Sequence, residues 1–472
     1  MEETDLAFAG IAEQARLLRA KDVSSAELTA LYLSRIERIN PKLNAFTDVF
    51  AERALEEAAA ADVRIVAGEE APLLGVPVAF KDELDVEGLV AEHGTRAYGG
   101  PPATSDAAHW ARIKGAGAIL LAKTTLPELA ICGFTETEAW GETRNPWNPA
   151  HTTGGSSGGS GAAVAAGLVG AASASDGGGS IRIPAANCGL FGLKPQRGRI
   201  SLSPEPEHWL GLTATGCLSR RVADTALWLD VAAGPAPGDR QTAAPIEGTF
   251  SDAAGRDPGK LRICWSTSAA RALAPPIQDV RVEGAVATLA RRLADLGHSV
   301  EERDPAWGLV GSDFANVYLK GIEGDYDRVP HPERLEARTR GFKRLGRMVP
   351  GPLLRRSQAA LAGHRARIDA IFDDCDVLIT PTVAVPAVEV GRWAGQGALR
   401  TLIGMSRVYP HTPPWNYLGN PAASIPLGRT GDGLPLAAQL IAPPSREDVL
   451  LSLAAQLEAE LGWPDDRPAL AA

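Results

Sequence analysis

This chain lacks most of the features that mark a secreted, membrane-embedded or metal-dependent protein. Its five cysteines, Cys132, Cys188, Cys217, Cys264 and Cys375, are odd in number, widely spaced and without a C-x-x-C pair. Neither a disulfide framework nor a zinc ribbon is indicated, and reduced, buried thiols are expected. There is no run of about 18 apolar residues to span a bilayer. The opening Met1-Glu-Glu-Thr-Asp5 is acidic where a secretory leader would be basic. The histidines, His93, His109, His151, His208, His298, His331, His364 and His411, show no H-x-x-x-H or H-E-x-x-H spacing, so no metal site is expected. No phosphate-loop pattern G-x-x-x-x-G-K-[ST] occurs, and neither an internal repeat nor a low-complexity tract is apparent. A net charge of −10 argues against bulk nucleic-acid binding. These absences lead to the expectation of a cytoplasmic enzyme that uses no cofactor, no nucleic acid and no membrane.

What is present in abundance is glycine and serine in two short loops. The first is Thr153-Gly-Gly-Ser156-Ser157-Gly-Gly-Ser160-Gly161, and the second is Ser175-Asp-Gly-Gly-Gly-Ser180-Ile-Arg-Ile-Pro184. Glycines permit backbone conformations that a Cβ resists, and a row of them lets successive N–H groups point one way, as a developing oxyanion requires. Such stretches are often flexible linkers, but here both abut apolar runs. The run from Ala162 to Ala174 is long enough for a short buried helix or a helix and strand, which could bring the two serines together. Gly155-Ser-Ser157-Gly-Gly159 also fits the G-x-S-x-G nucleophile elbow, yet that motif needs a strand before it and Asn148-Pro-Ala-His-Thr-Thr153 does not read as one.

A serine hydroxyl is a poor nucleophile at neutral pH and needs a base. No His-Asp pairing can be read from the sequence. Gly75-Val-Pro-Val-Ala-Phe80-Lys81-Asp82 offers an alternative, because Lys81 ends an apolar, strand-like run. Desolvation there lowers a lysine's pKa and leaves some neutral amine at pH 7. A lone lysine after an apolar run is otherwise an ordinary exposed strand end.

The order Lys81, Ser156, Ser180 resembles the amidase signature family, hydrolases with a Ser-cisSer-Lys triad. Further matching stretches are Ala118-Ile-Leu-Leu-Ala122 with Lys123-Thr124, Thr143-Arg-Asn-Pro-Trp147, Gly192-Leu-Lys-Pro195, Asp376-Val-Leu-Ile-Thr-Pro-Thr382 and Gly419-Asn-Pro-Ala422. The resemblance implies that Ser180 is the acyl-forming nucleophile, Ser156 a bridging serine on a cis peptide and Lys81 the base. It implies an oxyanion hole from the N–H groups of Gly177, Gly178, Gly179 and Ser180, with Ser157, Ser175, Asp176 and Arg182 supporting the loops. By position along the motif, Ile131 and Gly133 fall where the family lines its acyl pocket, beside Ile183. Phe134, Trp140, Trp415 and Tyr417 are nearby aromatic candidates whose alternative role is core packing.

For the fold, the resemblance implies an α/β architecture in one domain over residues 1–472. It has a large mixed, twisted sheet of about 11 strands between layers of helices, an arrangement that buries a sheet on both faces. The motif core spans 70–200 and a variable region shaping substrate access spans about 235–375. Read from the residues, short apolar runs at 74–80, 118–122, 262–265, 377–380 and 436–441 are strands. Ser24-Ser-Ala-Glu27 is a capping box opening a helix towards Ile39, stopped by Asn40-Pro41. Amphipathic patterns cover 7–20 and 51–62, Pro275 to Leu296 reads as a helix, and 233–258, rich in Pro, Gly and Ala, reads as a surface excursion.

Arg328 to Arg367 is basic, with Arg338, Arg340, Lys343, Arg344, Arg347, Arg355 and Arg356 interleaved with apolar residues. Glu333 and Glu336 interrupt the charge, which favours a solvated helix pair over the pocket mouth above a membrane-surface segment. Glu138-Ala-Trp-Gly141, Ser180-Ile-Arg-Ile183 and Trp415-Asn416 look closer to free-standing bacterial amidases, including those acting on nylon oligomers, aryl amides and carbamates. The glutamyl-tRNA amidotransferase A subunit, the alternative, commonly has Gln where this chain has Ile183. The expected partner is therefore a small-molecule amide or carbamate, and the expected assembly a monomer or homodimer.

Overall fold

The apolar runs lie side by side at the centre of the computed structural model, which describes residues 2–471. Five strands form one sheet in the order Phe46–Val49, Ile119–Thr124, Pro77–Lys81, Ala171–Asp176 and Ala214–Ser219. Six form a second in the order Ser299–Glu302, Arg262–Trp265, Val377–Pro381, Pro435–Ile441, Ala422–Arg429 and Gly192–Lys194. Phe191 and Ser219 exchange backbone hydrogen bonds of 3.0 and 3.2 Å in an antiparallel bridge, which joins the two edges. The five and six strands thus make one mixed sheet of eleven with helices packed on it, the α/β arrangement the family resemblance implies.

Why these runs form strands follows from their burial. Every residue of Pro77–Lys81 and Ile119–Thr124 is buried, and these two strands pair in parallel. Parallel strands covered on both faces need continuous apolar residues rather than alternation. The strands without such runs, among them Ala171–Asp176 and Ala214–Ser219, are built from small residues and were not marked by hydrophobicity. Ala162 to Ala174 resolves into the buried helix Gly158–Ala165 followed by the strand Ala171–Asp176.

Two helices depart from the sequence reading for identifiable reasons. The pattern over 7–20 is broken into Glu3–Ala7 and Ile11–Ala20. Gly10 sits at φ +84°, and a Cβ there would lie 2.2 Å from the Asp224 carboxylate. That carboxylate accepts the Ala12 N–H at 2.9 Å and so starts the second helix. The helix opened by the Ser24 and Glu27 capping box runs on to Leu43, past Pro41. It stops at Asn44, in the left-handed conformation, whose N–H bonds the Asn40 carbonyl at 2.8 Å.

The remaining segments agree more closely. Val280–Asp295 is helical, and 233–258 is largely exposed, with the short helix Phe250–Ala254 inside it. The basic stretch forms the helices Ala337–Arg347, Gly351–Ala359 and Leu361–Ile368. The first two pack on the helix Val310–Tyr326. Among the described residues no helix is long and apolar enough to cross a membrane.

Candidate active site

Lys81 closes the strand Pro77–Lys81 in a parallel trio with Ile119–Thr124 and Ala171–Asp176. Loops leaving the C-terminal end of parallel strands are where α/β proteins commonly build sites. The ladder to Ala171–Asp176 is the single pair Ala79 and Ala172, after which the strands part. The Lys81 N–H is satisfied by Ser173 Oγ instead, at 2.8 Å. This parting opens room for the lysine side chain beside the two glycine loops.

The Lys81 Nζ lies 2.7 Å from Ser156 Oγ and 2.8 Å from Ser175 Oγ. Both Lys81 and Ser156 are buried, and the Gly155–Ser156 peptide is cis. Burial pushes the Lys81 pKa below the ordinary lysine value, against the opposing pull of Glu83, 3.1 Å away, and of Asp176. A neutral amine held on a hydroxyl can take its proton. Ser157 is not preceded by a strand, so it does not occupy a nucleophile elbow. Its Oγ donates to the Ser175 carbonyl at 3.4 Å.

Ser180 follows the end of Ala171–Asp176 and precedes the helix Arg182–Cys188. The loop is held by one carboxylate. Asp176 accepts from the Gly179 N–H at 2.6 Å, the Ile181 N–H at 3.1 Å, and Arg182 Nε and Nη2 at 3.0 Å each. Asn416 donates to the same carboxylate at 2.8 Å, while Arg182 reaches on to Gln439 at 3.1 Å. Asp176 and Arg182 are wholly buried. Desolvation alone would raise the Asp176 pKa, but Arg182, Lys194 and Asn416 hold it below the usual carboxylate range. The sequence marked Asn416 only within Trp415-Asn416 and missed Gln439, because both lie more than two hundred positions from the loop they hold.

One expectation changes here. The Gly179 N–H is spent on Asp176 and is not free to meet an oxyanion. Among the described residues, the N–H groups of Gly177, Gly178 and Ser180 have no protein acceptor. Gly179 matters for shape instead: it sits at φ +135°, and a Cβ there would lie 2.4 Å from Thr412 Oγ1.

Ser180 is 8% exposed and opens on a largely apolar cavity. Ile131, Gly133 and Ile183 line it, as expected. Phe134 and Trp415 do not. Phe134 stacks on Trp393 at 4.5 Å and Trp415 packs edge-on to Trp307 at 5.7 Å, so both are core residues behind the wall. Tyr417 is likewise buried, its hydroxyl on the Ser357 carbonyl. The aromatic lining comes from Trp209, Phe314, Tyr318 and Tyr409, completed by Leu402 and Met405. Phe314 and Tyr318 stand four apart on Val310–Tyr326 and share one face, a spacing that could have flagged them.

Comparison with known proteins agrees with this geometry. The amidase family model matches residues 27–451. The chain is 46% identical to the AmiB2 protein of Mycobacterium tuberculosis, over 100% of both chains. It is 31% identical to an acylamidase of Rhodococcus erythropolis, over 99% of both. Its fold superposes on the structure of 6-aminohexanoate cyclic dimer hydrolase complexed with substrate with a TM-score of 0.88, at 31% identity, covering 99% of this chain and 100% of that one. Fold and relatives together define a hydrolase of amides. The chain belongs to the amidase family, the amidase signature enzymes.

Proposed function

We propose that this protein hydrolyses the C–N bond of carboxylic amides through an acyl-enzyme on Ser180, with Ser156 and Lys81 as the proton relay. The observations that carry this reading are the buried Lys81 Nζ, 2.7 Å from Ser156 Oγ, and the second-loop serine, Ser180, in the cavity wall. Ser180 Oγ attacks the carbonyl carbon as its proton passes to Ser156 Oγ, which gives its own to neutral Lys81. The oxyanion is met by the N–H groups of Gly177, Gly178 and Ser180, each such donor being worth about 100- to 1000-fold in rate. The ammonium then returns a proton through Ser156 to the leaving nitrogen and the C–N bond breaks. Water repeats the sequence on the acyl-enzyme and releases the acid.

The walls favour hydrophobic or aryl amides, and the same chemistry extends to carbamates and activated esters, whose carbonyl carbon takes the same attack. Ile131, Ile183, Leu402 and Phe314 supply no partner for a carboxamide, which disfavours glutamine and the amidotransferase-subunit reading. A hydrolysis panel of anilides, alkyl amides, p-nitrophenyl esters and aryl carbamates, run with wild type and Ser180→Ala, tests the proposal. Turnover should rise with acyl or aryl size and vanish in the variant. Free glutamine as the best substrate, or full activity without Ser180, would refute it.

A further inference from the structure

Two cavities flank the glycine loops, and charged side chains line only the second. Ser180 borders the first, whereas the partners of Lys81, Ser175 and Glu83, border the second. Ala130 belongs to the walls of both. Glu83 stands two residues beyond Lys81, its side chain 13% exposed, its carboxylate 3.1 Å from Nζ and hydrogen-bonded by the Ser175 side chain.

The charged groups around this pair leave Glu83 a distinct position. On its own segment, Asp82 is bound by Lys123 at 3.0 Å, and Asp85 faces the same cavity. Across the glycine loop, Asp176 is bound by Arg182 at 3.0 Å. On the far wall Asp325 is paired with His208 at 3.0 Å, and Glu205 with Arg328 at 2.9 Å. His93, pulled down to about 4 by burial, is neutral above that pH. Among the described residues, Glu83 has Lys81 as its sole cationic partner within ion-pair distance.

We propose that Glu83 is a positioning residue for Lys81. Its carboxylate holds Nζ against Ser156 and stabilises the ammonium that forms when the lysine takes the serine proton. The inference rests on the reading of Lys81 as the base. Burial depresses the Lys81 pKa and Glu83 opposes that shift, so the two together set where neutral lysine becomes available. Glu83 in turn is held ionised by Lys81 and Ser175 against the desolvation that would neutralise it.

The test is the pH dependence of kcat/KM for an anilide in Glu83→Gln, Glu83→Asp and Lys81→Ala. Removing the carboxylate lowers the Lys81 pKa further, so the acidic limb in Glu83→Gln should move down by about one pH unit or more. The plateau kcat should fall roughly 10- to 100-fold while KM stays within about twofold, because the contact matters most after proton transfer. Glu83→Asp retains the charge at a greater distance and should shift the limb the same way by less; it carries the test alone if the glutamine variant fails to fold. A destabilised variant with an unmoved limb and unchanged kcat, beside an inactive Lys81→Ala, would overturn the inference and leave Lys81 as the base. Wild-type activity in Lys81→Ala would overturn both.

Discussion

The floor of the apolar cavity and its roof are built on different principles. The floor carries Lys81, Ser156, Asp176 and Ser180 on strand ends and glycine loops, where hydrogen bonds tie Lys81 to Ser156 and Ser173 and tie Asp176 to Gly179 and Arg182. The roof, helix Val310–Tyr326 with Ala398–Val408 and Tyr409, touches the cavity through apolar side chains that few hydrogen bonds restrain. Chemistry needs fixed distances, so the floor is rigidly tied; substrate choice needs shape, so the roof can vary without disturbing the chemistry. Floor substitutions should therefore act on all substrates alike, and roof substitutions should reorder them.

The largest effects belong to the floor. Ser180→Ala and Lys81→Ala should each lower kcat on an anilide by about 10⁴-fold or more, in line with loss of a member of a cooperating set. Lys81→Ala should spare a p-nitrophenyl ester relative to a matched amide, because a nitrophenolate leaves without a proton. Equal losses on both would argue that Lys81 only positions the loops.

Next is the Asp176–Arg182 pair. Asp176→Ala strands a buried guanidinium and should cost roughly 3–5 kcal/mol of stability, read as a lowered urea midpoint. The folded-state pKa of Asp176 is depressed, so its contribution is complete above the unfolded carboxylate value and fades as pH falls through the folded one. The gap between wild type and variant should accordingly be constant at neutral pH and narrow only below about pH 4. A gap that widened on acidification would contradict the assignment.

Roof and pocket-rim changes should be smaller and selective. A Cβ at Gly133 would lie 2.7 Å from Tyr409 Cε2, so Gly133→Phe must displace that ring and fill the cavity. It should cut kcat/KM for bulky aryl amides by about 10- to 100-fold while small acyl amides lose little, a discrimination typical of a filled apolar pocket. Leu402→Ala should weaken long-chain substrates by about 1–2 kcal/mol in kcat/KM, from the lost contact at about 0.8 kcal/mol per CH₂. Uniform losses in either variant would erase the distinction between floor and roof.

The same contrast explains what the sequence revealed. The floor was legible because its parts are local: an apolar run ending in Lys81, and two glycine loops carrying Ser156 and Ser180. Ile131 and Gly133 were placed by the family resemblance and Ile183 by its nearness to Ser180, and all three line the cavity. Phe134 and Trp415 were misassigned because a position along the chain does not say which way a ring turns; theirs face Trp393 and Trp307. Tyr318, Phe314 and Leu402 reach the cavity only through long-range packing. Glu83 stood in plain view two residues from Lys81, but only the parting of the strands brings its carboxylate back onto the amine. The helix break at Gly10 likewise depends on Asp224, far along the chain.

The most direct test of the central claim is to react the native enzyme with a fluorophosphonate and map the modified peptide by mass spectrometry. The account predicts stoichiometric labelling of Ser180, absent in Ser180→Ala and strongly slowed in Lys81→Ala. Stoichiometric labelling of Ser157, or labelling of Ser180 at an unchanged rate without Lys81, would contradict it.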